Sequence, residues 1–350
     1  MLYRPFRNTD PRRLVEIWRS HSACRGLVQP MSVALLDEYV LSKPYFDRRG
    51  LIVAVDDSAA GEPNPVGFVH AGFGPNERGD GLDTSAGVIA MLMCHPLEAR
   101  TEIERELLVR GEAYLSERGA RRIRLGGVAR EAPFYLGLYG GSAMPGVLES
   151  DEPLLAVARA ACITGDCGDS GYCAIGRRTV WHRELATLRP VVDRTQMQIR
   201  RRANVEVVLD PPAASWWEAC VYGPVDRLRF DLVGREDGAR WAWAEFWSMD
   251  AFSAKWGVRA MGLKRIEVAA DQRREGLATF LMGDALKQLA GDGVALAEAQ
   301  ADDDDLSSTA LFRKLGFVEV DRGTIYEKQV PAAVSPPKTR TEAPPKVVKV

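Results

Sequence analysis

Two periods of apolar residues alternate along this chain. Short apolar runs at 51–55, 65–72 and 87–94 predict strands, the first two joined as a hairpin by a long loop. Ile103, Leu107, Leu108, Gly111, Tyr114 and Leu115 then recur at helical spacing, and Gly119 closes that helix. Residues 122–125 predict a short strand, 152–161 a helix and 178–185 a closing strand. The same order then returns. Runs at 196–200 and 205–209 open the second half as strands, 227–233 and 239–247 form a hairpin, and 262–268 is the strand after it. Leu277, Leu281, Met282, Ala285, Leu286 and Leu289 lie on one face of the next helix. A strand at 294–297, a helix at 306–315 ended by Gly316, and strands at 317–320 and 324–328 complete the second copy.

This repetition predicts an α/β (α+β) chain of two tandem lobes, each a mixed, mostly antiparallel twisted sheet flanked by helices. The lobes span 1–185 and 195–330, with a linker at 186–194. Residues 331–350 are rich in Pro and Lys without periodicity and read as a disordered tail.

The most informative junction is the one after the strand at 262–268. A polar turn, Arg273-Arg274-Glu275-Gly276-Leu277-Ala278-Thr279, leads straight into a helix. A turn with small residues at a helix N-terminus presents free backbone N–H groups and the positive end of the dipole, which suits a phosphate or pyrophosphate. Arg273 and Arg274 add charge that a diphosphate can pair with. The chain therefore carries a site for a phosphorylated carrier molecule.

Composition narrows the rest. A length of 350 residues suits two domains, and a net charge of -2 with 27% charged residues implies no nucleic-acid surface. No apolar run reaches membrane-spanning length, and residues 1–7 lack the apolar stretch of a signal peptide, so the expected localisation is cytoplasmic, with no membrane partner. Cys162, Cys167 and Cys173 cluster without C-x-x-C spacing or a partner histidine, which favours a loop with free thiols and no metal. The run Asp302-Asp303-Asp304-Asp305 reads as acids solvating a loop and compensating the dipole of the next helix. His21, His70, His95 and His182 all lie in the first half and none pairs with a Ser or Cys nucleophile, so direct transfer is favoured over covalent catalysis. Trp216, Trp217, Trp241, Trp243, Trp247 and Trp256 read as packing residues, with an aromatic wall for an acceptor as the sharper account. Trp241, Trp243 and Trp247 share a face if their strand is regular.

Residues 195–330 resemble the GNAT superfamily of acyl-CoA-dependent N-acetyltransferases. Residues 273–278 fit its Gln/Arg-x-x-Gly-x-Gly/Ala pyrophosphate turn, and Ala310-Leu311-Phe312-Arg313-Lys314-Leu315-Gly316-Phe317 fits its helix-then-Gly-Phe signature. The tandem arrangement resembles that of mycothiol synthase. The resemblance implies an N-acetyltransferase that takes acetyl-CoA as acyl donor, needs no metal, and acts on a small-molecule or peptide amine. It implies cofactor contacts from Ile266, Val268, Arg273, Arg274, Gly276, Leu277, Ala278, Thr279 and Phe312. The Val268 amide is the candidate for polarising the acyl carbonyl, and Glu298 and Glu267 are candidates for the general base. A tyrosine commonly stands where this chain has Phe312; Tyr326 is the candidate replacement acid. The missing hydroxyl also motivates an alternative, a non-catalytic acyl-CoA-binding sensor or interaction protein. Asp305 stands where the family often has Asn. In the first half the matching turn carries Arg100, Glu102 and Glu104 where small residues belong, which predicts poor coenzyme binding there. Two fused lobes supply internally the contact that single-lobe relatives obtain by dimerising, which implies a monomer.

Overall fold

The structure, a computed structural model, describes residues 1–57, 63–128, 134–162, 171–189 and 193–331. The tail beyond residue 331, Cys167 and part of the linker lie outside the described residues. The first lobe contains β1 (Leu2–Pro5), α1 (Pro11–Arg19), α2 (Val33–Leu36), β2 (Leu51–Asp56), β3 (Asn64–Pro75), β4 (Leu82–Cys94), α3 (Arg100–Glu117), β5 (Arg122–Leu125), β6 (Val147–Leu148), α4 (Glu152–Ala161) and β7 (Cys173–Glu184). The second contains α5 (Arg194–Arg202), β8 (Ala203–Leu209), α6 (Trp216–Tyr222), β9 (Arg227–Gly234), β10 (Arg240–Ser248), α7 (Asp250–Trp256), β11 (Ala260–Val268), α8 (Leu277–Gly291), β12 (Leu296–Asp302), α9 (Leu306–Lys314) and β13 (Val318–Gln329).

The strands form one continuous mixed sheet in the order β1-β2-β3-β4-β5-β13-β7-β12-β11-β10-β9-β8, with β6 pairing β13 off that path. All neighbours are antiparallel except β4–β5 and β11–β12. The order shows an exchange of strands. β7, last in the first segment, pairs with β12 of the second, and β13, last in the second, pairs with β5 of the first. The registers repeat about a pseudo-two-fold axis. His182 lies opposite both Glu298 and Val318, while Glu327 lies opposite both Arg124 and Cys173. Each lobe is thus closed by a strand from the other.

Three apolar clusters follow from this frame. One lies under α8, where Leu281, Leu286 and Leu289 meet Phe246 and Leu232. Another lies under α3, where Leu107, Leu108 and Leu115 meet Val69 and Ile89. The third fills the seam, where Trp18, Tyr135 and Tyr139 from the first lobe pack with Trp247, Phe252 and Met249 from the second. Burial of large apolar side chains on both sides of that seam couples the lobes energetically.

Several expectations are corrected. Residues 196–200 belong to helix α5 and not to a strand: the Asp193 carboxylate accepts from the Gln196 amide at 2.8 Å and starts the helix. The two closing strands are a single strand, β13, bulged between Glu319 and Asp321 and again between Ile325 and Tyr326. Helices α1, α6 and α7 are additions to the elements read from the sequence. Trp241, Trp243 and Trp247 do not share a face. A register shift between Arg240 and Ala242 turns Trp241 into the cluster under α8, while Trp247 enters the seam cluster. Cys173 is disulfide-bonded, against the expectation of free thiols, whereas Cys162 is free. The aspartate run, by contrast, does at α9 what is expected of it. Asp302 pairs with Arg178 at 2.7 Å, Asp303 accepts from Thr179 at 2.7 Å, and Asp305 caps α9 through the Ser308 amide at 3.0 Å.

Because each lobe completes the other, the intact chain should unfold in one cooperative thermal transition. A fragment ending at residue 189 lacks β13 and should not fold by itself. Differential scanning calorimetry tests the first statement and amide dispersion of the fragment the second; two separated transitions, or a well-dispersed fragment, would contradict the exchange.

Candidate coenzyme site

β11 and β12 are hydrogen-bonded neighbours only where Ala260, Met261 and Gly262 face Leu296, Ala297 and Glu298. Beyond that point they diverge. β11 stays paired with β10 as far as Val268, and β12 stays paired with β7 as far as Asp302. The divergence begins beside a bulge: Glu245 faces Arg265 and Phe246 faces Leu263, which leaves Lys264 as the extra residue. The inner edges of the fork consequently keep backbone groups for a guest. The Ala269 amide donates to the Trp241 carbonyl at 2.8 Å, towards β10. Strand alternation then turns the amides of Val268 and Ile266 to the open side.

A groove of about 740 Å³ occupies the fork and the mouth of α8. Ile266, Val268, Arg273, Arg274, Gly276, Leu277, Ala278 and Thr279 all line it. Glu267 is on the same wall, with 42% of its side chain exposed and an ion pair to Arg265. Gly276 caps α8 in the left-handed conformation (φ 84°), and no side chain caps that helix. Helices α4, α5, α6 and α9 are capped by Asp151, Asp193, Ser215 and Asp305. The first turn of α8 therefore keeps its amides for a ligand. Gly276 is also needed sterically, since a Cβ there would sit 3.1 Å from the Thr195 methyl in an already strained conformation. The opposite wall is α9, with Ser307, Ser308, Leu311 and Lys314. These residues were not among the sequence-based candidates, although the spacing of 307, 311 and 314 marks one helix face. Three cations, an uncapped helix mouth and free strand amides in one groove fit a phosphorylated carrier with an extended arm.

Two expected residues are not at this groove. Phe312 is 1% exposed and packs on Trp181 and Phe317, with ring centroids at 6.4 and 5.4 Å, so it faces the core and is corrected from coenzyme contact to packing. Tyr326 lies in the cluster of the first lobe with Ile123, Leu125 and Val147, because β13 is exchanged into that sheet. Its hydroxyl is not brought to the fork, which corrects its placement as an acid there.

Glu298 is fully buried at the last paired position of the fork. Its carboxylate accepts from the Ser142 amide at 2.5 Å, His182 Nε2 at 2.8 Å and Arg25 Nη2 at 3.0 Å. Burial pushes its pKa up, but the His182 hydrogen bond, the His182 and Arg25 charges and the Ser142 amide together outweigh burial and hold it below the ordinary value. At the corresponding place in the first lobe, α3 starts after Ala99 and carries Glu102 in its first turn. Glu104 lies one turn in, buried and paired with Arg100 at 2.6 Å; burial raises its pKa, partly opposed by Arg100.

Comparison with known proteins agrees with this geometry. Residues 197–317 match the Acetyltransferase (GNAT) family. No curated protein matches the chain. Solved structures share its fold, among them these three. One is the GCN5-related glucosamine N-acetyltransferase region of a fungal multi-domain GH3 β-N-acetylglucosaminidase, at TM-score 0.64 and 14% identity, covering 93% of this chain but only 38% of that one. Another is a GCN5-related N-acetyltransferase from Sphaerobacter thermophilus, at TM-score 0.59 and 12% identity, covering 94% of this chain and 95% of that one. The third is a tandem GNAT protein from the clavulanic acid biosynthesis pathway, at TM-score 0.60 and 13% identity, covering 94% and 98%. The chain thus has the GNAT fold, in a two-lobed arrangement that extends over nearly the full length of the latter two proteins. Among the described residues, no helix is long and apolar enough to cross a membrane, and no cluster of three His, Cys, Asp or Glu side chains is placed to hold a metal ion.

Two predictions follow from the groove and from Glu298. Gly276→Glu and Ala278→Glu should each abolish coenzyme A binding by calorimetry, whereas Glu102→Gln in the first lobe should leave it unchanged; the Ala278 variant separates charge from the strain at Gly276. The folded pKa of Glu298 lies below its unfolded value near 4.5. Its ionised form therefore stabilises the protein above that value, and the contribution is lost as pH falls through the lower folded value. Urea midpoints between about pH 3 and 6 should fall more steeply for the wild type than for Glu298→Gln.

Proposed function

We propose that this protein is an acyltransferase that binds an acyl-CoA, acetyl-CoA first among candidates, in the second lobe and passes the acyl group directly to an amine. The observation that carries this reading is the uncapped mouth of α8 opening into the fork between β11 and β12. The coenzyme supplies an activated thioester when bound. The chain's own residues do the rest. The α8 amides, Arg273 and Arg274 hold the diphosphate, and Lys314 faces them from α9. The open amides of Ile266 and Val268 receive the arm and the carbonyl; a donor aimed at the developing oxyanion is worth about 3 kcal/mol. Of the two carboxylates lining the groove, Asp305 is taken up by the Ser308 amide and hydroxyl, so Glu267 is the one that receives the amine's proton through solvent. No hydroxyl is needed for the departing thiol, whose pKa of about 8.5 lets it leave as thiolate.

In this reading the acceptor is an amine of a small molecule or peptide, neither nucleic acid nor membrane is a partner, the chain works in the cytoplasm, and it works as a monomer, which the internal pairing of the lobes supports. The shared fold supports the reaction class, while identities of 12–14% carry no substrate across. The mycothiol synthase resemblance contributes nothing to this reading. The sensor reading keeps one specific support, the phenyl ring of Phe312 turned into the core.

Thiol release from acetyl-CoA with a panel of amines tests the proposal. Turnover with at least one amine is expected, and Glu267→Gln should lower kcat about 100-fold. Coenzyme binding without release for any amine would favour the sensor.

A further inference from the structure

The two lobes differ sharply in the connection after their parallel strand pair. In the second lobe, residues 303–305 join β12 to α9. In the first, residues 126–151 intervene between β5 and α4. Part of that longer connection crosses the seam and lies flat on the fork of the second lobe. Gln300 Nε2 donates to the Gly140 carbonyl at 2.9 Å and to the Ala143 carbonyl at 3.1 Å. Trp247 Nε1 donates to the Ser142 carbonyl at 3.0 Å, while the Ser142 amide donates to Glu298. The approach leaves no room for side chains. A Cβ on Gly141 (φ 99°) would lie 1.9 Å from Glu298 Oε1, and one on Gly262 would lie 2.7 Å from Ser142 Cβ.

Gly262 and Glu298 are the last residues joined before β11 and β12 part. Residues 140–143 therefore sit over the point where β11 and β12 part, on the sheet face away from α8. Three buried polar atoms gather there without partners: Ser142 Oγ, Gln300 Oε1 and Arg25 Nη1. Unsatisfied polar atoms at one spot are places for the polar groups of a guest or its water. Beside them, Trp247, Met249 and Phe252 are buried in the seam.

We propose that the acceptor site is composite, with residues 140–143 of the first lobe forming its wall, and that Glu298 is the positioning residue that holds this wall in place. The acceptor is then a small amine bearing further hydrogen-bonding groups, because a folded protein surface cannot reach a fork closed by the other lobe. This rests on the acyltransferase reading for its substrate, but the position of the wall can be measured without turnover.

The test uses the full chain, with Glu298→Gln, Glu298→Asp and the milder Gln300→Ala. Hydrogen–deuterium exchange of residues 140–143 should rise about tenfold in Glu298→Gln and in Gln300→Ala, with partial recovery in Glu298→Asp. Coenzyme A affinity should stay within about twofold. If an amine substrate is found, its KM should rise about tenfold, with the larger effect on KM and not on kcat. Unchanged exchange at 140–143 in both variants would overturn the proposal whether or not any amine turns over. A drop in kcat with unchanged amine KM would overturn it as well, by making Glu298 part of the chemistry.

Discussion

The pairing of β7 with β13 is the constraint from which the rest of this molecule follows. Both strands end their own segment, and each is drawn into the sheet of the other. A lobe deprived of its partner strand would expose a row of backbone donors and acceptors along β5 or β12. The exchange closes both edges at once and puts β1 and β8 at the two ends of the main strand order. It also fixes the distance between the lobes, so that side chains of one can serve as walls for the other.

The fork at β11 and β12 depends on the same frame. β12 is held on one side by β7 and β11 on one side by β10, so neither needs the other beyond Gly262. Two separately supported strands can part and still be rigid. In the first lobe, by contrast, the Gly126 amide bonds to the Ile89 carbonyl at 3.0 Å, which carries the β4–β5 pairing one residue further. The helix mouth there bears Glu102 in place of Thr279's neutral turn. One architecture thus carries two helix starts that both lack a side-chain cap and differ in a few residues, among them Glu102 against Thr279.

Local chemistry was legible in the sequence and long-range pairing was not. The turn at 273–279 and the strand–turn–helix around it depend on neighbours within a few residues, and nine residues named from them, Glu267 included, line the groove. The helix ended by Gly316 was legible for the same reason. Helix α5 escaped because its start depends on the Asp193 cap and its apolar face is reduced to Ile199 among arginines. Phe312 and Tyr326 escaped because their surroundings are set by β7 and β13, whose exchange leaves no trace in periodicity. Trp241 escaped because one bulge reverses a face. Glu298 was visible as a carboxylate beside the fork, but its partners Arg25, His182 and Ser142 come from the other lobe, and spacing within one lobe cannot reveal them.

A structure of the full chain with coenzyme A bound tests the central claim most directly. The account predicts one coenzyme per chain, its diphosphate on the amides of Leu277 and Ala278 and its arm between β11 and β12. Coenzyme found at the start of α3 in the first lobe, with the mouth of α8 bare, would contradict it.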